Sequence, residues 1–128
     1  MNTRIASAVA LSFIASHAHA ASGSGDPFKG LDCKKAVVQI ELNQCANREY
    51  ESWDAKLNAL YGARLKDAGA KEQMLLRAAE RSWISYRDNE CAYETSDSEG
   101  GSIQPMEYSN CLTAKTRARI EELKTQGN

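Results

Sequence analysis

Histidine is nearly absent from this 128-residue sequence, and the two that occur, His17 and His19, both lie among the first twenty residues. Those residues have the pattern of a cleavable export signal. A short positive start is followed by an apolar segment, and Ala18-His19-Ala20 has the small-x-small pattern of a cleavage site. Removal of residues 1–20 leaves a chain without imidazole. This excludes His-dependent catalytic triads and His-ligated metal sites.

No long apolar stretch follows the export signal. No later segment approaches the roughly 18 consecutive apolar residues of a membrane span, so we expect no membrane insertion. The chain has 16 Lys and Arg against 17 Asp and Glu, for a net charge of −1, and its basic residues are scattered. This balance does not favour a nucleic-acid partner, because nucleic-acid binding needs a basic surface. The sequence therefore predicts one small exported domain.

Cysteine occurs four times, always after the export signal, at Cys33, Cys45, Cys91 and Cys111. An even number of cysteines in an oxidising compartment predicts two disulfides. The spacing lacks the clustered pairs of a zinc site, so we expect no metal and no other cofactor. A local pairing, Cys33–Cys45 with Cys91–Cys111, is favoured over Cys45–Cys91 with Cys33–Cys111, which a helical hairpin also allows. No cysteine lies at the cleavage site to carry a lipid, and the product is predicted to be periplasmic or secreted.

Proline is missing from residues 31–99, where Ala, Leu, Glu, Lys, Arg and Gln dominate, and this composition is typical of helix. Residues 21–30 are small and turn-forming and predict a flexible leader, which leaves 31–125 as the folded domain. Apolar residues early in this domain recur at steps of three and four, which predicts one buried stripe along a first long helix. The stripe comprises Leu42, Ala46, Tyr50, Trp53, Leu57, Leu60, Tyr61 and Leu65.

The first helix is predicted to end at Asp67-Ala68-Gly69, a candidate C-terminal cap, and a second long helix to follow it. Residues 96–104 are rich in turn formers and predict a loop, and Pro105 then begins a shorter third helix. The predicted fold class is all-α, an antiparallel hairpin of two long helices with a shorter third helix packed on it, stabilised by disulfides. The stripe predicted to face the core of the hairpin from the second helix comprises Leu75, Ala79, Ser82 or Trp83, Tyr86 and Tyr93.

Aromatic and charged residues are densest between residues 80 and 88. We interpret the aromatic side chains as core and expect Arg87 to pair with a carboxylate of the first helix. The adjacent Arg87 and Asp88 form a candidate buried polar link that sets the helix register. The residues assigned to the structural core are Trp53, Tyr61, Trp83, Arg87 and Asp88.

Two glutamates are candidates for a catalytic pair of carboxylates. Glu90 and Glu94 are four residues apart on one predicted helix, and a glycosidase uses two carboxylates about 5–9 Å apart. A three-helix hairpin has convex faces, however, and acids at helical spacing are typical of a solvated surface. We therefore predict no enzyme activity and no catalytic residues.

The loop between the second and third helices is the candidate binding site. It is acidic and glycine-rich, and a disulfide between Cys91 and Cys111 would hold both of its ends. Loops on a rigid scaffold are where binding residues are often found, although a Gly-Gly turn also serves simply to reverse the chain. The candidate binding residues are Asp97, Glu99, Gly100, Gly101, Ser102 and Gln104.

Several short motifs occur in an order that resembles the LprI-type lysozyme-inhibitor family, formerly a domain of unknown function. The resemblance extends from about Leu31 to Leu123 and includes the cysteines, the Trp/Arg-Asp element and the Gly-Gly-Ser loop. The motifs are Asp32-Cys33-x-x-Ala36, Glu41-x-x-x-Cys45, Asp54-x-x-Leu57-Asn58-x-x-Tyr61, Trp83-x-x-x-Arg87-Asp88-x-x-Cys91, Glu99-Gly100-Gly101-Ser102-x-x-Pro105-Met106 and Cys111-Leu112-x-x-x-Thr116-x-x-Arg119-x-x-Glu122-Leu123.

The resemblance implies a secreted, all-helical, disulfide-bonded domain that binds a protein. For the family's namesake, this activity is inhibition of lysozyme, which protects the cell wall. An acidic loop suits such a partner, because animal-type lysozymes are strongly basic. The alternative function is an envelope interaction module, such as an immunity or adaptor protein, that does not inhibit lysozyme.

Overall fold

The computed structural model describes residues 26–126, and the predicted export signal and residues 21–25 of the predicted leader lie outside them. The described chain is all-α. Helix α1 is Gln39–Asp67, α2 is Ala70–Glu94 and α3 is Gln104–Thr125, and a single 3₁₀ turn, Ser96–Ser98, follows α2. Two long helices and a shorter third one thus occur in the predicted order.

Helix α3 is the element that joins the other two. It packs most extensively against α1 and also contacts α2. The hydrophobic core has Leu57 of α1 with Ile120 and Leu123 of α3, and apolar side chains of α1 and α2 pack against it. Nearer the start of α3, the buried positions include the small residues Ser109, Thr113 and Thr116. Small side chains at these positions let the backbones of neighbouring helices approach closely, because helix separation depends on the side chains at the contact.

The first predicted stripe is confirmed as the inward face of α1. Every residue of that stripe, from Leu42 to Leu65, is buried or half-buried. Helix α1 ends after Asp67, as predicted, but Gly69 is not a left-handed cap, since its φ is −69°. The side-chain amide of Gln73 instead donates to the carbonyls of Leu65 at 2.9 Å and Ala68 at 3.0 Å. These bonds satisfy carbonyl groups that the helix end leaves unpaired.

The second predicted stripe is wrong for most of its residues. Leu75 is 57% exposed, Tyr86 is 52% exposed and Tyr93 is 76% exposed. Helix α2 is rotated so that a neighbouring row faces inward, comprising Leu76, Glu80, Trp83, Arg87 and Cys91. The row contains two charged residues, and each has a charged partner on another helix. Apolar periodicity assigns charged residues to the solvent-facing side of a helix. The predicted stripe was therefore placed on the wrong face of α2.

The two disulfides have the local pairing. Cys33 is bonded to Cys45, and Cys91 is bonded to Cys111. The first bond holds the segment before α1 against that helix, because Cys33 precedes the helix and Cys45 lies within it. In the chain-entropy model, closing loops of 12 and 20 residues contributes about 3 kcal/mol each.

Part of the predicted flexible leader makes specific contacts. Arg48 of α1 donates hydrogen bonds to the carbonyls of Phe28 and Leu31. Its guanidinium also lies 3.8 Å from the carboxylate of Asp26. Residues 26–30 therefore lie against the first helix in a defined conformation, which the composition of this segment did not indicate.

Candidate functional site

The loop from α2 to α3 has a defined conformation. The Ser96–Ser98 turn opens it, and the Cys91–Cys111 bond joins the two helices on either side. Gly100 has a φ of 75°, in the left-handed region that favours glycine. A Cβ atom on Gly101 would lie 3.0 Å from the carbonyl oxygen of Ser98. The backbone of the turn therefore favours glycine at position 100, and glycine at position 101 avoids a tight contact with Ser98.

Helix α1 also holds this loop in place. Asn43 donates from Nδ2 to the Ser102 carbonyl at 2.9 Å, and Gln39 donates from Nε2 to Asn43 Oδ1 at 2.8 Å. Within the loop, the Gly100 amide donates to Gln104 Oε1 at 3.4 Å. Four of the six predicted binding residues, at 100, 101, 102 and 104, therefore shape the loop. These contacts leave Asp97 and Glu99 as its charged, exposed groups.

The loop has an acidic surface. Asp97 and Glu99 are exposed, and neither forms an ion pair with another described residue. Asp97 also lines a shallow depression of about 560 Å³, together with Glu94 and Glu107. The only described cation in an ion pair there is Lys115, whose Nζ lies 2.8 Å from Glu94 Oε1. The hydrogen bond to Glu94 raises the pKa of Lys115.

Exposed apolar side chains lie at the same end of the bundle. The start of α1 meets the start of α3 there, since Gln39 lies 3.8 Å from the sulfur of Met106. Val37 is 82% exposed and Ile40 is 63% exposed, and Val38 and Ile103 are exposed as well. We call the set Val37, Val38, Ile40, Asp97, Glu99 and Ile103 the loop-end surface.

Its apolar half was not predicted from the sequence. The sequence feature that could have indicated it is the Val37-Val38 pair immediately before the first stripe. Apolar residues that lie outside the buried stripe of a helix are expected to be exposed.

Three of the predicted core residues, Tyr61, Trp83 and Arg87, lie between α1 and α2, whereas the Trp53 ring meets α3, with the Arg117 guanidinium 4.9 Å from its centre. Trp53, Tyr61 and Trp83 are half-buried, and Arg87 is buried. Arg87 lies 3.5 Å from Asp54 Oδ1 of α1 and donates to Asp88 Oδ1 at 2.8 Å. The structure thus brings Arg87 together with a carboxylate of the first helix.

Arginine side chains stack on the aromatic rings of this cluster. The guanidinium of Arg87 is 5.2 Å from the centre of the Trp83 ring and 5.5 Å from that of Tyr50. Arg119 lies 5.7 Å from the Trp83 ring. Burial raises the pKa of Tyr50, and the Asp54 and Asp88 carboxylates raise it further against the opposing effect of Arg87. The cluster is a polar and aromatic contact between helices.

The two glutamates considered as a catalytic pair have other surroundings. The carboxylate of Glu94 is bonded to Lys115 and is exposed. Glu90 is half-buried on α2. Within residues 26–126, no group of three or more Cys, Asp or Glu side chains is arranged to hold a metal ion.

Comparison with known proteins places this scaffold in a family. Residues 32–123 match the family described as lysozyme inhibitor LprI. The chain belongs to the LprI family. The match includes both disulfides, the loop, the whole of α1 and α2, and α3 as far as Leu123. The LprI description is that of an inhibitor that acts on another protein, rather than that of an enzyme.

Two relatives extend the LprI comparison. The chain is 39% identical over 106 residues to the uncharacterized protein R02472 of Rhizobium meliloti (strain 1021), over 73% of this chain and 76% of the relative. It is 24% identical over 102 residues to the uncharacterized protein YecT of Escherichia coli (strain K12), over 68% of this chain and 63% of the relative. No solved structure matches the chain. Among the described residues of this LprI-family chain, no helix is both long enough and apolar enough to cross a membrane.

Proposed function

We propose that this protein is an exported lysozyme inhibitor that protects the cell wall, and that it binds lysozyme through the loop-end surface. Membership of the LprI family over residues 32–123 is the observation that carries the proposal. The two disulfides support export, because such bonds persist in oxidising compartments. Natural protein that begins at Ala21 and has no free thiol in mass spectrometry would agree with export. An intact Met1 with four free thiols would contradict it.

The loop-end surface has the two components of a protein-binding site. Exposed apolar side chains supply area that a partner can bury, and a charged rim supplies attraction and orientation. Asp97 and Glu99 are unpaired within the described residues, so they attract a basic partner without first breaking an internal ion pair. The loop is already held by α1 and by a disulfide, which lowers the entropy lost on binding.

The test is lysozyme-driven lysis of cell-wall suspensions in the presence of the purified, oxidised protein. The wild type should slow lysis by animal-type lysozyme, and the effect should weaken as salt is added. Asp97→Ala with Glu99→Ala should weaken inhibition about 3- to 10-fold, if each exposed charge contributes about 0.5 kcal/mol. The matched control is Asp67→Ala with Glu72→Ala, which removes two exposed acids on either side of the turn between α1 and α2, at the other end of α2 from the loop.

A second variant tests the apolar half of the site. Val37→Ser with Ile40→Ser changes two largely exposed side chains and should reduce inhibition while leaving the melting temperature nearly unchanged. If the Asp67/Glu72 control reduced inhibition as much as Asp97→Ala with Glu99→Ala, only the net charge of the protein would matter, and the assigned surface would be contradicted. Absence of inhibition at large molar excess, across several lysozyme types, would remove the proposed function. Capture of another envelope protein without lysozyme would then favour the adaptor alternative.

A further inference from the structure

A groove between α1 and α2 lies apart from the loop-end surface. Its volume is about 380 Å³, within the range of small-ligand sites. The α1 side presents Asp54, Asn58 and Tyr61, and the α2 side presents Arg77, Arg81 and Arg87. Three arginines and aromatic rings thus line one opening in a chain whose net charge is −1.

The charges in this groove are not balanced. Glu80 also borders it, but its carboxylate is occupied by Arg119, with Arg119 Nη2 3.0 Å from Glu80 Oε2. Arg87 is paired with Asp88 and lies near Asp54. Arg77 and Arg81 are exposed, and neither forms an ion pair with another residue in the range 26–126. The two are four residues apart on α2, so they are neighbours on one helix face. The groove therefore has a local excess of positive charge.

Hydrogen-bonding capacity is unused at the base of the groove. Arg87 Nη1 is 3.5 Å from Asp54 Oδ1, which is too long for a good hydrogen bond. The guanidinium is nevertheless held rigidly, because its Nε donates to Asp88 at 2.8 Å. Asp54 Oδ2 accepts from Asn58 Nδ2 at 2.8 Å, which leaves Asn58 Oδ1 free to accept from a ligand. Donors for an anion and acceptors for N–H groups thus lie side by side.

We propose that this groove binds the C-terminal carboxylate of a short peptide. The carboxylate is held by Arg77 and Arg81, since a guanidinium binds carboxylate through two parallel N–H donors. The preceding amide N–H meets Asp54 or Asn58, and the Tyr61 and Trp83 rings contact the peptide side chains. The carboxylate of Asp54, which borders the groove, disfavours a doubly charged phosphate in the same space. The inference uses residues outside the loop-end surface and does not rest on the proposed function.

The test is a titration of the full chain followed by NMR or calorimetry. The probes are N-acetyl-alanyl-alanine and its C-terminal amide, which differ only in the carboxylate. The free acid should bind with a Kd of about 1 mM, as expected for a small ligand at an open site, and the amide at least tenfold more weakly. Equal binding of acid and amide, or no binding of the acid at about 20 mM, would overturn the proposal.

Variants and competing anions complete the experiment. Arg77→Gln with Arg81→Gln should weaken acid binding at least tenfold without changing the melting temperature, because both side chains are exposed. Lys71→Gln, which removes an exposed positive charge from the same helix outside the groove, should leave binding unchanged. Binding of inorganic phosphate or glucuronate as tight as that of the peptide acid would overturn the assignment to a peptide C-terminus. Unchanged lysozyme inhibition in the Arg77/Arg81 variant would separate this site from the loop-end surface.

Discussion

The ion pair between Glu80 and Arg119 allows a sharp test of the helix packing. Glu80 Oε2 accepts from Arg119 Nε at 3.1 Å and from Nη2 at 3.0 Å. The side chains are 10% and 9% exposed. Replacing Glu80 by Ala leaves the guanidinium without its buried partner, in a position that solvent hardly reaches.

The loss of unfolding free energy depends on how well other groups still compensate the charge of Arg119. Removing one partner of a buried pair typically costs about 3–5 kcal/mol, because the remaining charge is still desolvated. Arg119 Nη1 keeps a contact of 3.0 Å with Glu122, whose side chain is 55% exposed. This second carboxylate lowers the cost, so we expect Glu80→Ala to reduce the free energy of unfolding by about 2–4 kcal/mol.

Urea unfolding of the oxidised protein measures the effect. Glu72→Ala, an exposed glutamate on the same helix, should change the free energy of unfolding by no more than about 0.5 kcal/mol. The double variant Glu80→Leu with Arg119→Met should recover much of the loss, since two apolar groups of similar size need no charge compensation. A Glu80→Ala loss as small as that of Glu72→Ala would refute the inward orientation of this face of α2.

Two further predictions concern stability, one at a pair of adjacent leucines and one at a single tyrosine. Leu76 packs against the core and Leu75 is 57% exposed, so Leu76→Ala should cost about 2 kcal/mol in urea unfolding and Leu75→Ala less than about 0.5. A larger loss of unfolding free energy for Leu75→Ala than for Leu76→Ala would instead support the stripe predicted from the sequence. The raised pKa of Tyr50 gives stability that is complete below its ordinary value of 10.0 and is lost as pH rises through the higher folded value. Thermal melts from about pH 9 to 11.5 should therefore show a smaller alkaline loss for Tyr50→Phe than for wild type, and an identical loss would contradict the contribution of Tyr50.

Local sequence patterns predicted the helices and the loop of this fold. They did not predict the rotation of α2, because that rotation depends on charge pairs between residues far apart in the sequence. The α1 stripe, the turn near Gly69 and the loop depend on neighbours within a few residues, which the sequence displays directly. The rotation of α2 depends on Glu80 meeting Arg119, which is 39 residues away. Nothing in the local pattern indicates that a glutamate has such a partner, so its burial could not be predicted. For the same reason the unpaired arginines of the groove resemble ordinary surface charges in the sequence.

The covalent and ionic constraints on α2 agree on one rotation of that helix. Turning α2 by about 100°, the angle between successive residues, would carry Leu75 toward the core. The same turn would move Cys91 away from Cys111, and Glu80 and Arg87 away from Arg119 and Asp54. Burying one leucine gains at most about 3 kcal/mol. Losing the buried ion pairs and straining the disulfide would cost more, since stranding even one buried charge costs about 3–5 kcal/mol.

The same rotation positions the loop between α2 and α3. Cys91 lies on the inward row of α2 shortly before the loop begins, and its bond to Cys111 fixes that row against α3. The loop leaves α2 at Thr95, whose hydroxyl donates to the Cys91 carbonyl at 2.8 Å. The direction in which Asp97 and Glu99 project is therefore set by the interactions that bury Glu80 and Arg87. Charges inside the bundle thus orient the charges on its end, and the apolar stripe of α2 remains exposed as a consequence.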